Sequence, residues 1–222
     1  MELAEKVCAV CKDVVVVLMG GGALDLGDEL LSKVHAVIDM WYPGAVGGLA
    51  VAELIAGKFS PSGRLPITFY GEHNTIPDFT DYNMTGRTYR YITEKPLYPF
   101  GYGLSYTTFN YSDVKLLPGD GKGTYTRVAV TVANTGKCEG EEVVQLYVRD
   151  EVASITRPIK ELKGFEKIKL SPGESKTVTF DVKDEQLGFY NNQMKFIVEK
   201  GDFTLMVGGN SRDLQEIKYI LN

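Results

Sequence analysis

The hydrophobic pattern changes rhythm near the middle of the chain. Over residues 2–12, Leu3, Val7 and Cys11 recur at helical spacing and predict an amphipathic helix. Asp13 then leads into Val14-Val15-Val16-Val17-Leu18, an unbroken and mostly β-branched run of the kind found in strands covered on both faces. Gly20-Gly21-Gly22 predicts a turn and Asp28 to Val34 a short helix. Ala36 to Trp41 predicts a second strand, Gly47 to Ala56 another helix, and Leu65 to Phe69 an extended segment. Helix and strand thus alternate over residues 1–70, predicting an α/β unit: a partial α/β sandwich with a mostly parallel sheet and right-handed crossovers. Two or three parallel strands with so few helices bury little area, so this unit is expected to lean on something outside itself.

From about residue 113 the period shortens to two. Val128, Val130 and Val132 share one face of a predicted strand, and Glu142 to Val148 reads the same way. Turn signals at Asn134-Thr135-Gly136, Pro172-Gly173, Asn191-Asn192 and Gly201-Asp202 separate about seven short strands, predicting an all-β sandwich over 113–222. Residues 71–112 have little periodicity but many tyrosines, among them Tyr82, Tyr89, Tyr91, Tyr98, Tyr102, Tyr106 and Tyr111. A flexible linker would be rich in Gly and Ser, so these residues predict an ordered, aromatic-rich linker packed on both units. Within it, Tyr98 to Phe109 holds five aromatics, two glycines and a proline in twelve residues. Such a run seals an interface, the rings supplying buried area and the glycines close backbone approach.

Composition and charge remove several function classes. The 222 residues are 44% hydrophobic and 24% charged, as in an ordinary globular protein, and the net charge of -5 is spread without a basic stripe. Nucleic acid is therefore not an expected partner. The first residues lack a basic segment followed by an apolar core, and no apolar run is long enough to span a bilayer; the expectation is no membrane partner and a cytoplasmic protein. Three cysteines, Cys8, Cys11 and Cys138, fit a reducing compartment. Cys8 and Cys11 form a C-x-x-C inside the first predicted helix and not ahead of one, where a reactive pair would need to stand, and read as buried helix-face residues.

The candidate chemistry is sparse. The glycines after the first strand do not form a phosphate cradle: Asp25 stands where a dinucleotide fingerprint needs glycine, and Asp28-Glu29 where a P-loop needs Lys-Ser/Thr. His35 and His73 have no metal-ligand spacing, so neither metal nor cofactor is expected. Glu139-Gly140-Glu141-Glu142 reads as a solvated strand edge. Asp25, Asp28, Asp39, Asp78 and Asp81 are the available carboxylates for glycoside chemistry, but the sequence pairs no two of them, Asp25 and Asp28 read as caps at a helix start, a structural role is expected for each, and no catalytic residue is assigned.

Several motifs stand in order: Trp41-Tyr42-Pro43-Gly44, Gly47 to Leu54, Ser60-Pro61-Ser62-Gly63-Arg64-Leu65-Pro66-Ile67-Thr68 and Tyr98 to Phe109, then Asn134-Thr135-Gly136, Gly140 to Tyr147, Arg157-Pro158, Glu161-Leu162-Lys163-Gly164-Phe165 and Pro172-Gly173-Glu174. Together they resemble the C-terminal portion of glycoside hydrolase family 3: the end of an α/β sandwich domain followed by a fibronectin type III-like domain. Gly21 to Leu26, Trp41 to Gly44 and Gly86-Arg87-Thr88-Tyr89-Arg90-Tyr91 look most like the β-xylosidase branch, with β-glucosidases the near alternative. Ala45-Val46 departs from a position that is often polar in relatives.

The resemblance implies a retaining, exo-acting hydrolase of β-linked xylosides or glucosides. It also implies that the nucleophilic aspartate sits on a (β/α) barrel and the acid/base glutamate on an earlier loop, neither of which this sequence matches. The chain alone is therefore expected to be inactive and to need a barrel-bearing catalytic segment or partner chain. The other class is a non-catalytic fibronectin-like module that binds protein or glycan. Arg87 and Tyr89 are the candidate substrate-binding residues, since a guanidinium and a phenol can hydrogen-bond and stack on a pyranose; domain packing is their structural alternative.

Overall fold

The computed structural model describes residues 2–222. Its first unit is small. Helix α1 (Glu2–Val10) leads to strand β1 (Val15–Leu18), helix α2 (Asp28–Leu31), strand β2 (Ala36–Asp39) and helix α3 (Gly47–Ile55). Strands β1 and β2 pair in parallel, with Val15 opposite Ala36 and Leu18 opposite Asp39. The valine run does not become a strand covered on both faces: Val15 and Val17 are 41% and 38% exposed, because none of the described residues packs over that side. Nor are the cysteines buried. Helix α1 contains no buried residue, Cys8 is half-buried and Cys11 is exposed, since the helix lies at an uncovered margin. The second helix is shorter than the pattern predicts and ends before the exposed Ser32 and Lys33.

Residues Leu65–Phe69 are extended but join no sheet. They run antiparallel to the 98–102 segment: Leu65 N–H donates to Tyr102 C=O, Gly101 N–H to Leu65 C=O, and Phe69 pairs with Tyr98. Pro66 and Pro99 lack the amide donors that a longer ladder would need. A single turn of helix, α4 (Thr88–Tyr91), interrupts the irregular stretch between.

The second unit is a sandwich of two sheets. Strands β3 (Phe109–Pro118), β4 (Thr126–Asn134), β5 (Gly140–Asp150), β6 (Glu161–Leu170) and β7 (Ser175–Val182) are followed by a helical turn, α5 (Asp184–Leu187). A two-residue pair comes next, β8 (Phe189–Tyr190) and β9 (Phe196–Ile197), and then β10 (Gly201–Gly208) and β11 (Leu214–Leu221). One sheet has the order β11-β10-β5-β6 and the other β3-β4-β7, with antiparallel pairing throughout. Gly201, a predicted turn residue, instead opens β10 opposite Leu221 at the end of β11.

Alternation explains the core. Val128, Val130 and Val132 of β4 meet Val144, Leu146 and Val148 of β5 and Leu205 and Val207 of β10, all at most 4% exposed. The hydrophobic core lies in this sandwich. In the α/β unit, Val14, Leu26, Leu30 and Phe69 are the buried apolar side chains among the described residues.

Candidate functional site at the junction of the two units

The Tyr98–Phe109 segment folds into the seam between the units. Pro99 C=O accepts from Tyr102 N–H, closing a turn whose third residue, Gly101, has a φ of +80°, the conformation that favours glycine in a type II turn. A Cβ on Gly101 would sit 2.2 Å from the Gln145 side chain of β5. The turn lays Tyr98 on Tyr102, ring centroids 5.4 Å apart, and Tyr98 also meets Phe69, whose ring edges on Trp41 at 6.4 Å. Phe100 is sent to the sandwich, stacked on Tyr89 at 4.3 Å, and both rings edge on Tyr147 of β5. One turn thus supplies rings to both units.

Polar groups lock the same seam. Arg64 Nη2 lies 2.7 Å from Glu142 Oε2, with side chains only 9% and 6% exposed, and Tyr111 donates its hydroxyl to Glu142 Oε1 at 3.0 Å. Burial pushes the Tyr111 phenol well above its ordinary range, so it stays a proton donor to that carboxylate. Ser62 donates to Glu141 at 3.0 Å, and Lys167 pairs with Glu141 at 2.7 Å. The acidic run is therefore split: Glu139 and Glu141 stay open to solvent, whereas Glu142 is buried. Strand β5 lies inside its sheet, and Glu142 falls on the same face as Val144, Leu146 and Val148, where it must be paired. Sequence reasoning missed Glu142 and Arg64; the period of two in β5 was the available signal for Glu142, whereas nothing local marked Arg64. Thr107 and Asn134 close the far end: Thr107 donates to Asn134 Oδ1, and the Asn134 amide donates to Leu170 C=O and Cys138 C=O, both at 2.9 Å.

Arg87 and Tyr89 occupy this neighbourhood in different ways. The Arg87 guanidinium donates to the carbonyls of Pro77, Asp78, Asp81 and Asn83, bracing the 77–83 loop. Tyr89 stacks on Phe100, and its hydroxyl accepts from Leu162 N–H at 3.1 Å. The candidate carboxylates are spread over separate turns. Asp25, Asp39, Asp78 and Asp81 accept from the backbone amides of Gly27, Trp41, Thr80 and Asn83, an Asx-turn arrangement in each case. The Thr80 hydroxyl, then its amide, hold the Asp78 carboxyl below its ordinary value, the opposite of what a general acid needs. His35 sits 3.5 Å from Asp13 at the surface, and His73 contacts Lys95 C=O. Among the described residues no group of three or more His, Cys, Asp or Glu is placed to hold a metal ion.

The other open feature is the carboxyl-terminal edge of the β1–β2 sheet, where ligands of parallel α/β sheets gather. The Gly20–Gly22 and Trp41–Gly44 loops meet there. The Tyr42 ring lies so close to Gly21 that an added Cβ would be 2.9 Å from it, while Tyr42 itself is 81% exposed.

An uncovered parallel sheet joined by an aromatic seam to a seven-stranded β-sandwich defines an α/β unit with a fibronectin-like companion, and comparison with known proteins agrees. Residues 1–106 match the model of the glycosyl hydrolase family 3 C-terminal domain and residues 142–211 that of the fibronectin type III-like domain. The chain belongs to glycoside hydrolase family 3 and corresponds to its C-terminal part. It is 44% identical over 231 residues to a protein named periplasmic beta-glucosidase from Salmonella typhimurium, covering 97% of this chain and 30% of that protein. A beta-xylosidase from Formosa agariphila is 41% identical over 218 residues, covering 95% of this chain and 30% of its own length. Among solved structures, the beta-D-glucoside glucohydrolase of Trichoderma reesei superposes with a TM-score of 0.88 at 29% identity, covering 100% of this chain and 35% of that one. A beta-glucosidase of Bifidobacterium adolescentis gives 0.87 at 33% identity over 99% of this chain and 34% of that one. The chain thus spans about a third of the length of such relatives. No helix of the described residues is long and apolar enough to cross a membrane.

Proposed function

We propose that this chain is the C-terminal part of a retaining, exo-acting glycoside hydrolase of β-linked xylosides or glucosides, whose catalytic carboxylates lie on a barrel-bearing segment or partner chain. The observation that carries this reading is the uncovered apolar surface of the α/β unit. Leu3, Val10, Met19 and Leu49 are 77%, 83%, 70% and 61% exposed, alongside half-open β1, in a chain matched to relatives about three times its length. The remaining sandwich strands and the barrel would cover this surface, and the carboxyl-terminal edge with Tyr42 would face the substrate side. The division that goes with this reading is 1–70 as the end of the sandwich domain, 71–112 as an ordered connector and 113–222 as the fibronectin-like domain.

Arg87 and Tyr89 enter this reading as props of the connector, which their backbone partners and ring stacking support. An Arg87→Ala variant of the assembled enzyme is expected to lose stability while keeping its KM for nitrophenyl glycosides; a raised KM would make Arg87 a sugar ligand. Cytoplasmic residence is supported by three free thiols, against which stands the periplasmic name of one relative; fractionation of a tagged chain decides it.

The main test assays the purified chain on nitrophenyl β-xyloside and β-glucoside, alone and with the barrel-bearing segment. No turnover alone and restored turnover in the mixture are expected. Robust activity of these 222 residues alone would sink the proposal, and failure of any barrel-bearing segment to associate would favour a stand-alone binding module.

A further inference from the structure

Phe79 and Tyr82 are 93% and 91% exposed, the most open large hydrophobic residues among the described ones. Both stand on the 76–84 loop of the connector, between Ile76 and Met84, which are exposed as well. The loop that carries these rings is nevertheless tightly braced. The Arg87 guanidinium donates to the carbonyls of Pro77, Asp78, Asp81 and Asn83. Asp78 Oδ1 accepts from the Thr80 amide and hydroxyl, and Asp81 Oδ1 from the Asn83 amide and side chain. Asp81 N–H donates to Asp78 C=O and Arg87 N–H to Met84 C=O, each at 2.9 Å. This bracing orders the loop without burying either ring, so within the chain it gains no hydrophobic area at Phe79 or Tyr82. It does present two aromatic groups from a fixed backbone, as interface anchors are presented when the cost of ordering is met before contact.

The polar groups of the loop favour a protein over a sugar as the occupant. A sugar site needs donors and acceptors aimed outward beside its rings, whereas here Asp78, Thr80, Asp81 and Asn83 bind the loop's own turns and Arg87 points back at carbonyls. Rings and aliphatic groups are what remain exposed, and they suit the core of a protein interface. Two features name that protein. The matched C-terminal domain model runs through the loop to residue 106, in a chain that spans 30% of a relative's length, so a large segment that adjoins this domain in relatives lies outside these 222 residues. The loop also grows out of the seam: the Tyr70 hydroxyl accepts from Thr88 N–H at its base, and Tyr89, one residue on, stacks on Phe100. Contact at the loop would therefore extend an interface already built. Two covered aromatic side chains bury about 150–250 Å² each, a large share of the roughly 800 Å² that each partner contributes to a standard interface.

We propose that Phe79 and Tyr82 are the anchors by which the connector docks on the barrel-bearing catalytic segment. The identity of that partner rests on the proposed glycosidase function; the presentation of the rings rests on the loop alone. The connector then has two faces, one sealing the α/β unit to the sandwich and the other holding the catalytic segment.

The test is calorimetry of the full chain against the barrel-bearing segment used in the activity assay. Phe79→Ala and Tyr82→Ala should each weaken binding by at least about tenfold. Because both rings stand in water, neither change should move the melting temperature of the chain alone, which separates lost binding from lost folding. An affinity unchanged in either variant overturns the docking role and leaves the glycosidase assignment standing, whereas no binding by the parent chain overturns the assignment and this partner with it. Two other occupants would also overturn the proposal. Amide NMR shifts confined to residues 76–84 on adding xylobiose or cellobiose would make the loop a glycan platform, and a dimer of the chain in sedimentation that Phe79→Ala dissolves would make it a self-association face.

Discussion

Removing Arg64 should cost this chain more stability than any exposed ion pair in it. In Arg64→Met the stem is kept but the guanidinium is lost, leaving the Glu142 carboxylate 6% exposed with the Tyr111 hydroxyl as its remaining partner. Breaking a buried pair by removing one member costs about 3–5 kcal/mol. The retained Tyr111 bond argues for the lower end, about 3 kcal/mol, which for a chain of this length lowers Tm by about 6–12 °C. Replacing both charges, in Arg64→Met with Glu142→Leu, removes the stranded carboxylate and leaves mainly the Tyr111 hydroxyl without an acceptor, a cost of about 1–3 kcal/mol. The double variant should therefore be more stable than the single one. Urea unfolding suits the measurement because it leaves electrostatics unscreened, and two probes are available. Trp41 fluorescence reports the α/β unit and far-UV circular dichroism is dominated by the sandwich. Because Arg64 lies in the first unit and Glu142 in the second, the Trp41 midpoint of Arg64→Met should fall below the dichroism midpoint. A loss under about 1 kcal/mol, or a double variant as unstable as the sum of the singles, would refute the view that a desolvated charge pair joins the units.

Other expectations concern the turn, the acid limb and the distribution of stability. Gly101→Ala combines a left-handed backbone with a Cβ 2.2 Å from Gln145 and should cost about 2–4 kcal/mol, whereas Gly173→Ala, with a φ of +77° but open space around it, should cost only about 1–2 kcal/mol; equal losses in urea unfolding would exclude the steric term. The Lys218 ammonium, then the Thr204 hydroxyl, hold the Glu151 carboxyl below its ordinary value of 4.5, so its stabilising contribution is complete above that pH and is lost as pH falls through the lowered folded value. Unfolding curves of the parent and Glu151→Gln should therefore differ at pH 7 and converge in acid; a difference that widens in acid would reverse the sign. Amide exchange should be slowest in β4, β5 and β10 and fast throughout β1 and β2, and equal protection in the two units would contradict the uneven burial.

How much of this was legible depended on whether a residue's fate was decided by its neighbours in sequence. The valines of β4 alternate without interruption, so their burial follows from period two alone. The valine run of β1 has the pattern of a strand covered on both faces, but pattern records the environment for which a segment is suited, and within this chain that cover is missing. Leu65–Phe69 reads as extended and is so, while Pro66 and the single Phe69–Tyr98 bridge keep it out of any sheet. Glu142 was misread because acidic clusters are usually solvated, although its place on the face of Val144 and Leu146 required a buried partner. That partner, Arg64, lies 78 positions away, a distance that no local pattern spans.

The junction also explains why the most motif-rich stretch of the chain need not hold its chemistry. At the seam, each residue answers to two packed surfaces. Gly101 must take a positive φ and leave room for Gln145, Gly103 must bring its backbone so close to Gly63 that a Cβ would lie 2.3 Å from that carbonyl oxygen, and Phe100 must stack on Tyr89 while edging on Tyr147. Few residue types meet two such demands together, so a segment of this kind has a distinctive sequence whether or not it touches substrate. The carboxyl-terminal edge of the β1–β2 sheet is in the opposite position. Apart from the contact of Trp41 with Phe69, its loops are open, with Tyr42 81% exposed, and their shape would be completed by what packs across that edge. If catalysis in the assembled enzyme depends on that edge, substitutions at Tyr42 should alter kinetics while leaving the stability of this chain nearly unchanged, and substitutions in the seam should do the reverse.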